Sequence, residues 1–271
     1  MEEIITAIAD SVPTDSDIYL GQDDLLYCSR CDTARQCRIE IFGRVRVVPC
    51  LCKCMAEQRQ REEADRRMQE QITAFRRDAF PEPDMARCTF AADDLARADI
   101  SKALHAYVEN FETLRDEGKG LLLYGNVGTG KTFYAACIVN AIVDSGRPCL
   151  MTSFPRLVNE MTERWEGRQR YLDNLARYAL VAIDDLGVER NTDYMSEHVT
   201  NIIDTLYNAR VPVVITSNYT PRQLTEDCEI RKRRVYDRLL ERCHPIKVDG
   251  ESRRKEKGRK DYASMRDLLG M

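Results

Sequence analysis

The chain has 271 residues, 43% of them hydrophobic and 32% charged, with a net charge of −4. This length suits about two domains, and the charge balance argues against a uniformly basic nucleic-acid binder. No apolar run reaches the ~18 residues of a membrane span. The acidic start lacks the basic-then-apolar form of a signal peptide, so a cytoplasmic protein with no membrane partner is expected.

Residues 1–27 form an acidic arm. It carries Glu2, Glu3, Asp10, Asp15, Asp17, Asp23 and Asp24 and no Lys or Arg, with Ile4, Ile5, Ile8 and Val12 at helical spacing. The stretch from Arg231 to Lys260 is strongly basic, and such asymmetry points to separate partners for the two ends.

Residues 28–54 are cysteine-rich. Cys28-Ser29-Arg30-Cys31 precedes Cys50-Leu51-Cys52-Lys53-Cys54 after a strand-like stretch. A C-x-x-C knuckle sets two thiolates at tetrahedral separation, and a second C-x-C pair completes a structural Zn²⁺ site. So short a segment cannot bury a core of its own, and a metal supplies the missing stabilisation. Cys52 and Cys54 are the preferred second pair, Cys50 is the substitute, and Cys37 is a weaker candidate. Cys88, Cys137, Cys149, Cys228 and Cys243 are scattered and read as packing residues.

Residues 55–80 read as a charged helical linker, ended by Pro81 and Pro83. From about Phe90 to Lys247, apolar strands alternate with amphipathic helices, the pattern of a parallel sheet covered on both faces. The expected strands are 121–124, 149–153, 180–183, 213–217 and 246–248. Helices are expected over 130–144, 155–165, 196–209 and 235–241. This second domain is expected to span 81–260, with a tail over 261–271.

Within it, Gly125-Asn126-Val127-Gly128-Thr129-Gly130-Lys131-Thr132 fits the phosphate-binding G-x-x-x-x-G-K-[ST] loop. It follows an apolar strand and opens a helix, so backbone N–H groups and the helix dipole converge on phosphates. Lys131 can reach the β- and γ-phosphates, and Thr132 can hold Mg²⁺. Leu180–Ile183 ends in Asp184-Asp185, a Walker B pattern. Asp184 suits Mg²⁺ and Asp185 an attacking water; the competing reading is an acidic turn that caps a helix. Asn218, after strand 213–217, suits the γ-phosphate or the water. Arg238 suits an arginine finger directed at a neighbouring subunit, or else surface ion pairing along its own helix among Arg234, Asp237, Arg238 and Glu241.

Taken together, the Cys module, the charged linker, "GNVGTGKT", "LVAIDDLGVE", "VVITSNYT" and "RVYDRLLERC" resemble DnaC-type helicase loaders. These are AAA+ ATPases close to the IstB transposition helpers. The resemblance covers about Phe80–Arg254 and implies a P-loop AAA+ fold with a five-stranded parallel sheet. It assigns Lys131 and Thr132 to Walker A, Asp184 and Asp185 to Walker B, Asn218 to sensor 1 and Arg238 to the finger. Gly250-Glu251-Ser252-Arg253-Arg254 resembles the family's G-x-S-x-R and puts Arg254 near the sensor-2 role. Asp185 stands where most AAA+ proteins have Glu, a feature the loader group shares, so slow hydrolysis is expected of the isolated protein. There is little chain after Lys247 for a helical lid, as the loader group implies.

The resemblance further implies a replicative hexameric DNA helicase and single-stranded DNA as partners, with self-association in the ATP state and the N-terminal region on the helicase. Arg164-Trp165 to Tyr171 mixes arginines with aromatics and could stack bases, or it is an exposed helix end with Trp165 tucked inward. Arg231–Arg234 is a second candidate for phosphate contacts. Two other readings compete with the loader: an IstB-like ATPase that binds duplex DNA and a transposase, and a zinc-containing adaptor that binds ATP without depending on its hydrolysis.

Overall fold

The computed structural model describes residues 17–94, 97–163, 167–187, 193–226, 230–255 and a few positions of the tail. The side chains at 162, 163, 193–196, 230–232 and 234 are excluded. Most of the acidic arm, Trp165, Cys228 and most of the Arg231–Arg234 side chains therefore lie outside the described residues.

The chain divides into two compact units, residues 1–70 and 71–271. The first contains two antiparallel hairpins. β1 (Ile18–Leu20) pairs with β2 (Leu26–Cys28), and β3 (Gln36–Ile41) pairs with β4 (Arg44–Pro49). The β3–β4 connection is the two-residue turn Phe42-Gly43, both at positive φ, a geometry that matches strand twist. Helix α1 (Lys53–Ala79) follows, runs past the boundary of the first unit, and ends two residues before Pro81.

The second unit is a five-stranded sheet flanked by helices. After 3-10 turns at Pro83–Arg87 and Phe90–Ala92 come α2 (Ala98–Glu109), α3 (Phe111–Asp116), β5 (Gly120–Tyr124), α4 (Lys131–Asp144), β6 (Cys149–Ser153), α5 (Phe154–Glu163) and α6 (Arg168–Leu175). β7 (Leu180–Leu186), α7 (Asp193–Asn208), β8 (Val213–Ser217), α8 (Pro221–Glu226), α9 (Ile230–Arg242) and β9 (Cys243–Lys247) complete it. The strand order is β6-β7-β8-β5-β9, with parallel pairing throughout.

Side chains alternate across a strand, and the two hydrophobic clusters follow that alternation. Leu121, Leu123, Ala182 and Val214 pack with α2 and α4. Leu122, Val181, Ile183, Val213 and Ile215 pack with α5, α7 and α9 on the opposite face. Burial on both sides explains why these strands read as continuous apolar runs. Among the described residues, no helix is long and apolar enough to cross a membrane.

Two boundaries differ from expectation in ways that matter. The last strand begins at Cys243 and not at Ile246, and includes Pro245. β9 is an edge strand, where a residue without an N–H is tolerated. β7 does not stop at Ile183; it continues through both aspartates to Leu186, with a register shift against β8 between Ile183 and Leu186.

Candidate nucleotide site and cysteine cluster

The C-terminal ends of β5, β7 and β8 gather the phosphate loop, Asp184-Asp185 and Asn218. Gly128 lies at φ 83°, and a Cβ there would fall 2.2 Å from Ser252 Oγ. Backbone conformation and neighbour thus both demand glycine at this position. The neighbour belongs to a strap over residues 248–253 that crosses the loop: the Arg253 N–H donates to Gly128 O at 2.9 Å. The Arg253 guanidinium lies 2.8 Å from Asp94 Oδ1, which ties the strap to the segment before α2. Arg254 is exposed, and its charge is felt at Lys131.

Lys131 opens α4 and is almost wholly buried. Its Nζ donates to Gly125 O at 3.0 Å, Asn126 O at 2.7 Å and Asn218 Oδ1 at 2.8 Å. Burial pulls its pKa down, opposed by the charges of Asp185 and Asp184. The Thr132 hydroxyl donates to Asp184 at 3.0 and 3.1 Å. Thr216 Oγ1 donates to the same carboxylate and accepts the Asp185 N–H at 2.9 Å. Burial raises the Asp184 pKa, while the hydrogen bond from Thr216 opposes the rise.

Asp185 has φ 57° and is exposed. Adjacent strand residues normally face opposite ways, and a bulge re-aims one of them. Here the irregularity leaves both carboxylates at the crevice, close enough for each to act on Lys131. Gly187 completes the turn at φ 99°, where a Cβ would lie 2.5 Å from the Tyr219 ring. That contact accounts for the glycine of Asp-Asp-Leu-Gly.

The donor set fits ATP and magnesium. Backbone N–H groups of a glycine loop, a buried ammonium and a hydroxyl–carboxylate pair are the groups that Mg–triphosphate takes.

Arg238 lies on α9 and pairs with Asp204 of α7, 5.8 Å from the Tyr207 ring centre. Asp204 and Tyr207 were missed in the sequence, since nothing local marks a residue 34 positions away as the arginine's partner.

In the first unit, the sulfurs of Cys28, Cys31, Cys52 and Cys54 all lie within 4.8 Å of one another. Cys28–Cys54 and Cys52–Cys54 are 3.7 and 3.4 Å apart. Tetrahedral Zn–S bonds of ~2.3 Å require about 3.8 Å between sulfurs, so the quartet fits zinc. Cys50 is not in it; its thiol donates to Ala34 O at 3.4 Å. The hydrogen bond with Thr33 is the main cause that lowers the Cys31 thiol to about 6. Cys52 and Cys54 flank the start of α1, whose dipole favours thiolate; without a metal the Cys52 thiol is lowered, whereas the hydrogen bond with Cys52 pushes Cys54 up to about 12.

Fold and site together define a P-loop AAA+ ATP-binding protein. The family model described as "IstB-like ATP binding protein" matches residues 53–261, and the chain belongs to that family. It is 27% identical over 191 residues to the replicative helicase loader DnaI of Bacillus subtilis, a match covering 65% of this chain and 61% of the relative. It is 25% identical over 150 residues to a Mycobacterium tuberculosis protein described as ATP-binding in an insertion sequence, covering 52% and 58%. The crystal structure of the DnaC helicase loader superposes with a TM-score of 0.55 at 22% identity, over 61% of this chain and 99% of that one. The chain thus spans about three-fifths of the length of these curated relatives.

Proposed function

We propose that this chain is an ATP-hydrolysing loader that places a replicative hexameric DNA helicase on single-stranded DNA during replication. The observation that carries this reading is that one chain holds both a crevice where Thr132 meets Asp184 beside the phosphate loop and, earlier in the sequence, a four-cysteine cluster whose geometry fits zinc. Likeness to loaders of the same family supports it.

The reading assigns each residue a role. Lys131 and the loop N–H groups bind and orient the phosphates. Thr132 and Asp184 would hold Mg²⁺, which neutralises charge on the transferred phosphoryl group. Asp185, on the exposed side of the turn, takes the proton of the water that attacks the γ-phosphorus, and Asn218 orients that water. Arg238 stabilises the developing charge on the nucleotide of a neighbouring copy. The zinc module, Cys28, Cys31, Cys52 and Cys54, serves the helicase contact. Domain limits of 28–54 for that module, 55–80 for the linker and 81–260 for the ATPase domain belong to the same proposal, as does a nucleotide contact for Arg254.

The test is steady-state turnover with and without single-stranded DNA and the helicase. Slow turnover alone, raised by both partners and lost in Asp185→Ala with ATP binding intact, is expected. An Asp185→Ala protein that still loads helicase would instead mark an adaptor for which ATP is only a conformational ligand. The insertion-sequence relative favours a second reading, an ATPase helper of a transposase. ATP-dependent assembly on duplex DNA, without a helicase complex, would establish that one.

A further inference from the structure

Arg238 does not extend alone from its helix. Asp204 and Tyr207 sit one turn apart on α7, and Arg238 and Arg242 one turn apart on α9, so the four share one helix–helix face. Arg242 stacks on Tyr207, 3.8 Å from the ring centre, and its Nη1 donates to Tyr207 O at 2.6 Å. The Tyr207 hydroxyl donates to Glu241 at 2.9 Å. The ring is thus fixed from α9, and it stands beside the Arg238 guanidinium while the Asp204 carboxylate accepts from Arg238 Nη1. The Arg238 side chain keeps 40% of its surface exposed and that of Asp204 34%.

A surface ion pair of this exposure contributes little to stability, so its consequence is geometric. A guanidinium carries five N–H donors in a rigid plane, and the carboxylate contact engages one of its two terminal amino groups. A long side chain held at one edge and beside a ring gives up its rotamer freedom before any partner arrives, and that pre-organisation is what a trans contact with a phosphate requires.

We propose that Asp204 is a positioning residue that, with Tyr207, presents Arg238 to the nucleotide of a second copy of this chain. The proposal rests on the trans role given to Arg238 above. The face formed by α7 and α9 is then the one a neighbouring subunit's phosphate site approaches, and the ligand recognised is a polyphosphate bound to that neighbour.

The experiment measures ATP turnover of the full chain with helicase and single-stranded DNA, for wild type, Asp204→Asn, Asp204→Glu, Arg238→Ala and the Asp204→Asn/Arg238→Ala pair. Asp204→Asn keeps the shape of the side chain and removes its charge. The expected result is a stimulated kcat roughly tenfold lower, with KM for ATP and the thermal midpoint unchanged. Partial rescue by Asp204→Glu is expected, and a double variant no worse than Arg238→Ala alone. Wild-type or faster turnover in Asp204→Asn, with Arg238→Ala inactive, overturns the positioning role and leaves the trans role standing. Full stimulated turnover in Arg238→Ala overturns the trans role itself.

Discussion

The two units of this chain solve the problem of stability in opposite ways. In the ATPase unit, Leu121 to Leu123, Ile138, Val181, Ile183, Val214 and Ile215 are all at most 4% exposed, within two large apolar clusters on either face of the sheet. Among the described residues of the first unit, the buried hydrophobic positions are Leu25, Cys28 and Cys52, and two of these belong to the thiol quartet. Its β3–β4 hairpin exposes Ile39, Ile41, Val45 and Val47, with Phe42 98% exposed at the turn. A lone hairpin of this kind is marginal in water. Area buried on the sheet accounts for the folding free energy of one unit; in the proposed reading, zinc held by the four thiols supplies it in the other.

The largest effect that would break this comparison comes from the metal. Structural zinc contributes on the order of 10–16 kcal/mol in small domains, so chelation or Cys52→Ser should abolish hydrogen-exchange protection over residues 17–54. Protection in β5, β7 and β8 should remain. Retained protection in the first unit after chelation would mean that something other than metal holds it.

Next in size is a cavity in the ATPase core. Leu123→Ala, at a position with no exposed surface, should cost about 2–5 kcal/mol and lower the melting transition of the sheet. Zinc content by elemental measurement should not change. A matching loss of zinc would show that the two sources of stability are one.

The smallest effect sharpens the account of the crevice. Burial raises the Asp184 pKa. Between the ordinary carboxylate value and that raised value, the folded state binds more protons than the unfolded one. Stability is therefore lost as pH rises through this window. Asp184→Asn should remove that slope and stabilise the nucleotide-free protein by about 0.5–2 kcal/mol at neutral pH, as is common when a functional site loses a strained charge. The same variant should lose Mg-dependent ATP binding. Calorimetry across pH checks both signs, and a destabilised Asn variant would contradict the assignment.

Legibility in the sequence followed the same division. Strands buried on both faces announce themselves as apolar runs, which is why β5, β6, β7 and β8 were readable to within a residue or so at their starts. The phosphate loop was readable because its glycines are demanded locally by backbone conformation. The thiol cluster was partly readable: spacing named the C-x-x-C pair and preferred Cys52 and Cys54 with Cys50 as substitute, and only the fold directs the Cys50 thiol to Ala34 O.

What the sequence concealed depends on contacts distant along the chain. The left-handed Asp185, the Thr216 hydroxyl that joins both aspartates, and the strap whose Ser252 crosses Gly128 are set by tertiary packing. The ion pairs expected for Arg238 ran along its own helix, whereas the observed partner is Asp204 on α7. The helices α2, α3 and α6 were not singled out, because short amphipathic stretches between stronger signals lack distinct caps; none has a side-chain N-cap hydrogen bond.

The most direct measurement is co-sedimentation of the zinc-loaded chain with a replicative helicase hexamer in the presence of ATP and Mg²⁺, alongside zinc-stripped protein. The account predicts a stable complex that zinc removal abolishes while ATP binding persists. No complex with zinc and ATP both bound, or a complex indifferent to zinc, would contradict it.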